Sequence, residues 1–186
     1  MLASGPPMIV GSIARRYAKA LFSLADEQGQ VEQWSIGLDT LGKALTASAE
    51  LRETLASPLF EKEQKRGVVA ALTKSIALPA TPANFLLLLA DRARLAYLPA
   101  IIQEFRDLAD GRLGRVRARV TSAVPLSPDE AKRIAEGLAQ GRKAQVIVET
   151  AVDPALLGGV VAQVGSLVYD GSVRSQLEEL RRAMKH

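Results

Sequence analysis

The spacing of the apolar residues changes once along this chain, near Gly111, and that change limits the folds the chain can adopt. From Ile13 to Asp110 apolar residues recur three and four positions apart, the period of α-helices with one buried face. From Arg115 apolar and charged residues alternate, which is the period of a β-strand. We therefore expect a flexible tail over residues 1–12, a six-helix bundle over residues 13–110 and a small basic α+β domain over residues 111–186.

Local signals within residues 111–186 place the elements of the second domain. Ser127-Pro128-Asp129-Glu130 is a capping box, which starts a helix. A β-rich segment follows at 145–152, and a second one at 158–169 contains a Gly165-Ser166 turn, so it predicts a β-hairpin. The apolar residues of a terminal helix fall on one side, namely Val173, Leu177, Leu180 and Met184.

The residue inventory leaves little chemistry for an enzyme. The chain has no cysteine, and its one histidine is the last residue, His186. These counts exclude a thiol nucleophile, a disulfide framework, a thiolate metal site and a Ser-His-Asp relay. The longest apolar run, at residues 85–90, is far shorter than the roughly 20 residues of a membrane-spanning helix. We therefore expect no catalytic residues, no cofactor, no metal and no membrane insertion.

One segment has the residue spacing of a phosphate-binding loop. Gly37, Gly42 and Lys43 match the P-loop pattern, but Ala44 stands where a magnesium-binding Ser or Thr is needed. No strand precedes the segment, and its leucines continue a helical stripe. We interpret the match as coincidental.

The positive charge of the chain is concentrated in its second part. Residues 1–110 contain 12 basic and 12 acidic residues, whereas residues 111–186 contain 12 and 8, so the second part carries the whole net charge of +4. Arg115, Arg117 and Arg119 share one face of the alternating strand. Three interpretations stay open: a solvated edge strand, a docking surface for an acidic protein partner, or a nucleic-acid contact.

Two segments resemble the δ subunit of bacterial F-type ATP synthases, the family of the mitochondrial oligomycin sensitivity-conferring protein. The first is Arg15–Phe22, and the second runs from Leu157-Gly158-Gly159 through Asp170-Gly171-Ser172 to Leu177. The resemblance covers about residues 11–183. It implies a non-catalytic stator subunit that links the catalytic head to the peripheral stalk, so that proton-driven rotation is coupled to ATP synthesis.

The resemblance also implies partners, a location and contact residues. The family's N-terminal domain receives the N-terminal helices of the α subunits between its first and fifth helices, and its C-terminal domain meets subunit b. One peripheral copy per complex is expected on the cytoplasmic face of the bacterial inner membrane, without nucleic acid. The residues expected to face the head are Tyr17, Ala20, Leu21, Phe85, Leu86 and Leu89. Those expected to face the stalk are Arg115, Arg117, Arg119, Leu177 and Leu180. The alternative is a basic nucleic-acid-binding regulatory protein, suggested by the arginine strand.

Overall fold

The computed structural model describes residues 7–140, 145–165 and 167–184. It is mostly helical and contains a small four-stranded mixed sheet. The chain divides into two compact units, the first ending at Ala109 and the second beginning at Asp110. Across the described ranges, no helix combines the length and the apolar content needed to cross a membrane.

The first unit is built from helices whose apolar faces turn inward, as the sequence period predicts. Helix α1 begins at Pro7 rather than at the predicted Ile13, so residues 7–12 are helical and do not belong to a tail. The rest of the predicted tail, residues 1–6, lies outside the described residues. The elements are α1 (Pro7–Glu27), α2 (Val31–Ala47), α3 (Ala49–Ala56), α4 (Lys62–Ser75), α5 (Ala80–Asp91), a 3₁₀ turn (Leu95–Tyr97) and α6 (Leu98–Arg112).

The core of the first unit lies where these helices meet. Trp34 of α2 is fully buried, and its indole N–H donates to the Gln30 Oε1 at 2.9 Å, so its polar atom is satisfied. Phe105 of α6 is also buried and receives the edge of Phe22 from α1, with ring centroids 6.1 Å apart. Trp34 is therefore a core residue of the first unit.

The second unit contains the predicted strands and the predicted hairpin, and the capping box at Ser127 is formed with Glu130. The strand order is β2-β1-β3-β4. Strand β1 pairs with β2 in parallel and with β3 in antiparallel orientation, so β1 is an interior strand. The edge-strand interpretation of the arginine strand is therefore wrong. The elements are β1 (Arg115–Ser122), α7 (Pro128–Ala139), β2 (Gln145–Val152), β3 (Gly159–Val164), β4 (Leu167–Ser172) and α8 (Val173–Ala183).

Alternation along the two central strands separates a buried face from a polar one. Ala118 and Val120 of β1 are buried together with Ala162 and Val164 of β3, their cross-strand partners. The opposite face of β1 carries the arginines. This alternation was predictable from the sequence; the neighbours of β1 were not.

Candidate functional site

A half-buried aromatic pair joins helices α1 and α5 at the surface of the first unit. Tyr17 of α1 and Phe85 of α5 meet edge to face, with ring centroids 6.1 Å apart. Ile13, Ala20 and Leu24 lie on the same side of α1 as Tyr17, since they follow at intervals of three and four residues. Leu88 lies one turn beyond Phe85 on α5. We call these six residues the α1–α5 surface.

Apolar side chains remain exposed on this surface. Leu24 is 41% exposed and Leu88 is 44% exposed, and Ala20 is exposed between the larger side chains of α1. An apolar surface between two helices can accept the apolar stripe of a foreign amphipathic helix. An exposed contiguous apolar strip of this kind is typical of an interaction site.

Three of the residues expected to face the head are buried in the core instead. Leu21, Leu86 and Leu89 are fully buried in the core of the first unit, so their side chains have no surface to offer a partner. The family resemblance implies these three positions because, like Tyr17 and Phe85, they lie on the first and fifth helices. The expectation omits Leu24 and Leu88, although Leu24 lies seven residues from Tyr17 and Leu88 three residues from Phe85, and both spacings indicate the same side of the helix.

The three arginines of β1 differ in what they contact. Arg117 is four-fifths buried and forms ion pairs with Asp110, through Nε and Nη2, and with Glu149 of β2, at 3.0 Å from Nη1 to Oε1. The Nε of Arg115 donates to the Gln145 Oε1 at 3.3 Å, and Arg119 is exposed. Arg117 is therefore part of the internal structure of the second unit and not a docking residue.

Helix α8 presents its apolar residues to solvent. Leu177 and Leu180 are each 56% exposed, and Val173 and Met184 of the same side are exposed as well. These four residues form what we call the α8 stripe. The sequence predicts that they share one side, and the structure adds that these four side chains are exposed among the described residues.

The end of β4 and the first turn of α8 share a polar network centred on Asp170. Its Oδ1 accepts from the Ser172 N–H at 2.9 Å, and its Oδ2 accepts from the Ser175 hydroxyl at 2.6 Å. The Ser175 hydrogen bond, followed by those from Ser172, lowers the pKa of the Asp170 carboxyl below its ordinary value. The Ser175 N–H also donates to the Ser172 hydroxyl at 3.3 Å, so the two serines are joined to each other as well as to Asp170.

The P-loop-like segment lies inside α2 and serves packing. A Cβ on Gly37 would stand 2.5 Å from Cδ1 of Leu78, and one on Gly42 would stand 3.4 Å from Cγ2 of Ile102. The two glycines therefore admit side chains of neighbouring segments, and a continuous helix supplies no loop to cradle phosphate. In the described part of the chain, no three His, Cys, Asp or Glu side chains are grouped to hold a metal ion.

Comparisons with known proteins agree on one family. The model of the ATP synthase delta (OSCP) subunit family matches residues 13–184. The ATP synthase subunit delta of Anaeromyxobacter dehalogenans (strain 2CP-C) is 60% identical over 178 residues, covering 96% of this chain and 99% of that protein. The subunit delta of Myxococcus xanthus is 47% identical over 180 residues, with 96% and 99% covered.

A solved structure supports the fold. A chain of the cryo-EM structure of the Toxoplasma gondii mitochondrial ATP synthase hexamer superposes with a TM-score of 0.68. The two chains share 22% sequence identity, and the match covers 93% of this chain and 97% of the other.

Proposed function

This chain belongs to the ATP synthase delta (OSCP) subunit family, and on that premise we propose how its two units divide the work of a stator. Membership makes the chain a non-catalytic structural subunit of an F-type ATP synthase and a component of its peripheral stalk. The alternative of a nucleic-acid-binding regulator is not supported, because the matches identify a different family and Arg117 is committed to internal ion pairs.

The first unit, as the six-helix bundle of the family, contacts the catalytic head through the α1–α5 surface. The observation that carries this assignment is the Tyr17–Phe85 contact, because it places the exposed apolar residues of two helices side by side. A shallow apolar surface between two helices suits an amphipathic helix, which is the chemistry expected of an α-subunit N-terminal segment. Leu24 and Leu88 take the roles first expected of Leu21, Leu86 and Leu89.

The second unit contacts subunit b through the α8 stripe. Four apolar side chains on one side of a short helix match the apolar stripe of a long stalk helix. Arg119 of β1 and the arginines of α8 add positive charge, which selects an acidic partner surface and its register. Arg115 and Arg119 stay in this proposal as rim contacts; Arg117 does not.

The expected location follows from the complex. Because the bacterial relatives are subunits of ATP synthases, we place the chain peripherally at the cytoplasmic face of the inner membrane, one copy per complex. No contact of its own with the lipid bilayer is part of this proposal.

The head contact is tested with two surface variants, Leu24→Asp and Leu88→Asp. Leu24 is 41% and Leu88 44% exposed, so binding buries less than half of each leucine, which contributes about 1 kcal/mol, and each variant also places a charge in the contact. The affinity for the isolated catalytic head should therefore fall at least about tenfold, as measured by calorimetry or surface-based binding. Point variants are preferable to deleting the first helix, because α1 also supplies the buried Ala14, Ala18 and Leu21.

Ile36→Asp is the matched control. Ile36 is a 61% exposed apolar residue on α2 of the same unit, outside the α1–α5 surface. It should bind the head as the parent chain does. Undiminished binding by both Leu24→Asp and Leu88→Asp would show that the head contact lies elsewhere.

A further inference from the structure

Helix α8 contributes little to the apolar core of the second unit through the side chains that the structure describes. Among its described side chains none is buried, and the four residues of the α8 stripe are exposed. A helix with so little buried area takes its direction from the residues that attach its end. For α8 that end is the first turn, which follows directly on β4.

The first turn is fastened to the β3–β4 hairpin by close backbone contacts. The Val173 N–H donates to the Gly158 carbonyl at 3.0 Å. Gly159 has a φ of +77°, and a Cβ there would lie 2.3 Å from the Gly171 carbonyl oxygen, so only glycine fits this approach. Gly159 thus permits the close approach of β3 and β4 directly before α8, and Gly158 accepts the hydrogen bond from the first residue of the helix.

Asp170 adds the side-chain part of the same joint. It accepts one hydrogen bond from the backbone of Ser172, before the helix, and one from the hydroxyl of Ser175, inside its first turn. A carboxylate that accepts from both sides of a helix start fixes the angle at which the helix leaves the strand. Hydrogen bonds to a charged acceptor are stronger than neutral ones, even where water competes.

We propose that Asp170 is a positioning residue for the stalk contact, because it holds the first turn of α8 on the hairpin and so sets the direction in which the α8 stripe is presented. The proposal rests on the proposed function of that stripe. A stripe held in one direction loses less conformational freedom on binding than a helix that swings about its first turn. Asp170 touches no partner in this scheme and acts only through α8.

The direction of α8 is measured with two spin labels in the full chain. The parent sequence contains no cysteine, so Gln163→Cys on β3 and Arg181→Cys on α8, both exposed positions, are labelled specifically. We expect one narrow distance distribution in the labelled parent and a broad one when Asp170→Ala is added. Asp170→Asn should stay close to the parent, since its amide oxygen still accepts from the Ser172 N–H and its amino group can donate to the Ser175 hydroxyl.

Asp153→Ala is the matched control for Asp170→Ala. Asp153 is another exposed aspartate of the second unit that accepts a backbone N–H two residues on, from Ala155 at 2.9 Å. It stands before β3 and not before α8. Its removal should leave the label distance as narrow as in the parent.

Binding is measured in parallel with a synthetic peptide of the C-terminal segment of subunit b. Asp170→Ala should weaken binding about tenfold, the effect of losing a helix-capping interaction with a charged acceptor. Asp170→Asn and Asp153→Ala should change it by less than about threefold. Leu177→Asp tests the stripe itself and should abolish binding.

The combination of results separates the two claims. A narrow label distance in Asp170→Ala overturns the positioning role, as does unchanged peptide binding by Asp170→Ala when Leu177→Asp loses it. Full binding by Leu177→Asp instead overturns the stalk assignment of α8. The effect of Asp170 on the stalk contact is then overturned as well, while the label distances still report whether Asp170 holds the first turn of α8. A broad distance and weaker binding in Asp170→Ala, with recovery in Asp170→Asn, supports the proposal.

Discussion

Removing the charge of Arg117 should destabilise the second unit selectively. The Arg117 guanidinium contacts two carboxylates, Asp110 and Glu149, and only 8% of Asp110 is exposed. Arg117→Met keeps most of the length and the apolar stem of the side chain but removes the cation. It therefore leaves the Asp110 carboxylate in a buried position without the partner that compensates for its lost hydration.

The magnitude follows from the burial of the three groups. Breaking a fully buried ion pair by removing one partner costs about 3–5 kcal/mol. Here the Arg117 side chain is 20% exposed and that of Glu149 38% exposed, so water screens part of the interaction. We expect about 2–3 kcal/mol, which lowers the unfolding midpoint of a domain of this size by roughly 10 °C.

The assay must report the second unit alone. Trp34, the only tryptophan, is buried in the first unit, so its fluorescence follows the unfolding of that unit. Hydrogen exchange of peptides from β1 and β3 follows the second unit. Arg117→Met should accelerate exchange in these strands while the Trp34 transition stays where it is in the parent.

Two variants complete the test of Arg117. Arg119→Met is the control, because Arg119 lies two residues further along the same face of β1 and is exposed; it should have little effect. Adding Asp110→Asn to Arg117→Met should recover part of the lost stability, since the uncompensated carboxylate is gone. Equal rates of hydrogen exchange in β1 and β3 of Arg117→Met and Arg119→Met would refute the reasoning.

Two other features of the chain give measurable effects on stability. Gly159→Ala should destabilise the second unit by roughly 3 kcal/mol in denaturant titrations, because a Cβ cannot fit against the Gly171 carbonyl. Gly137→Ala inside α7 is the control: its Cβ meets nothing within 4 Å, so it should stabilise the unit by about 0.5–1 kcal/mol. Acid should weaken both units. Hydrogen bonds from Arg66 to Asp91, and from Ser127 to Glu130, lower the pKa of these carboxyls in the folded chain. Their stabilising contribution is therefore complete above the ordinary pKa near about 4 and is lost as the pH falls through the lower folded value. Thermal unfolding of Asp91→Asn should show a smaller decrease in the first unit's midpoint over this range, and an equal decrease would contradict the assignment.

Periodicity predicts the helices, the strands and the hairpin because each depends on neighbours within a few residues. The capping box at Ser127 is of this kind, and so is the antiparallel pairing of β3 with β4, whereas Ser166 of the predicted turn lies outside the described residues. Periodicity is less informative at the border of an apolar arc. Leu21 and Leu24 both belong to the apolar side of α1, yet only Leu21 is buried, because the packing of the neighbouring elements decides which part of the arc is covered.

The arginines of β1 show the same limit for strands. The alternation identifies a charged face correctly, but it does not reveal which strands lie beside β1. The acceptors of Arg117 come from Asp110, at the end of a helix, and from Glu149, which the parallel pairing with β2 places directly beside Arg119. Both contacts depend on pairing at a distance in the sequence, so the change from a docking residue to an internal ion pair could not be predicted from the strand itself.

Two modest surfaces on one chain explain how a small subunit can serve as a stator link under the proposed function. Neither the α1–α5 surface nor the α8 stripe offers more than a few exposed apolar side chains, so each contact alone is expected to be of moderate strength. Once one surface is bound, the other meets its partner at the effective concentration set by the connecting chain, and release requires both contacts to open together. Two attachments to different partners also account for the difference in net charge between the first and the second part of the chain. Under the proposed function, residues 1–110, with no net charge, dock through apolar burial, which salt does not weaken, while residues 111–186, with a net charge of +4, select the stalk partner by charge.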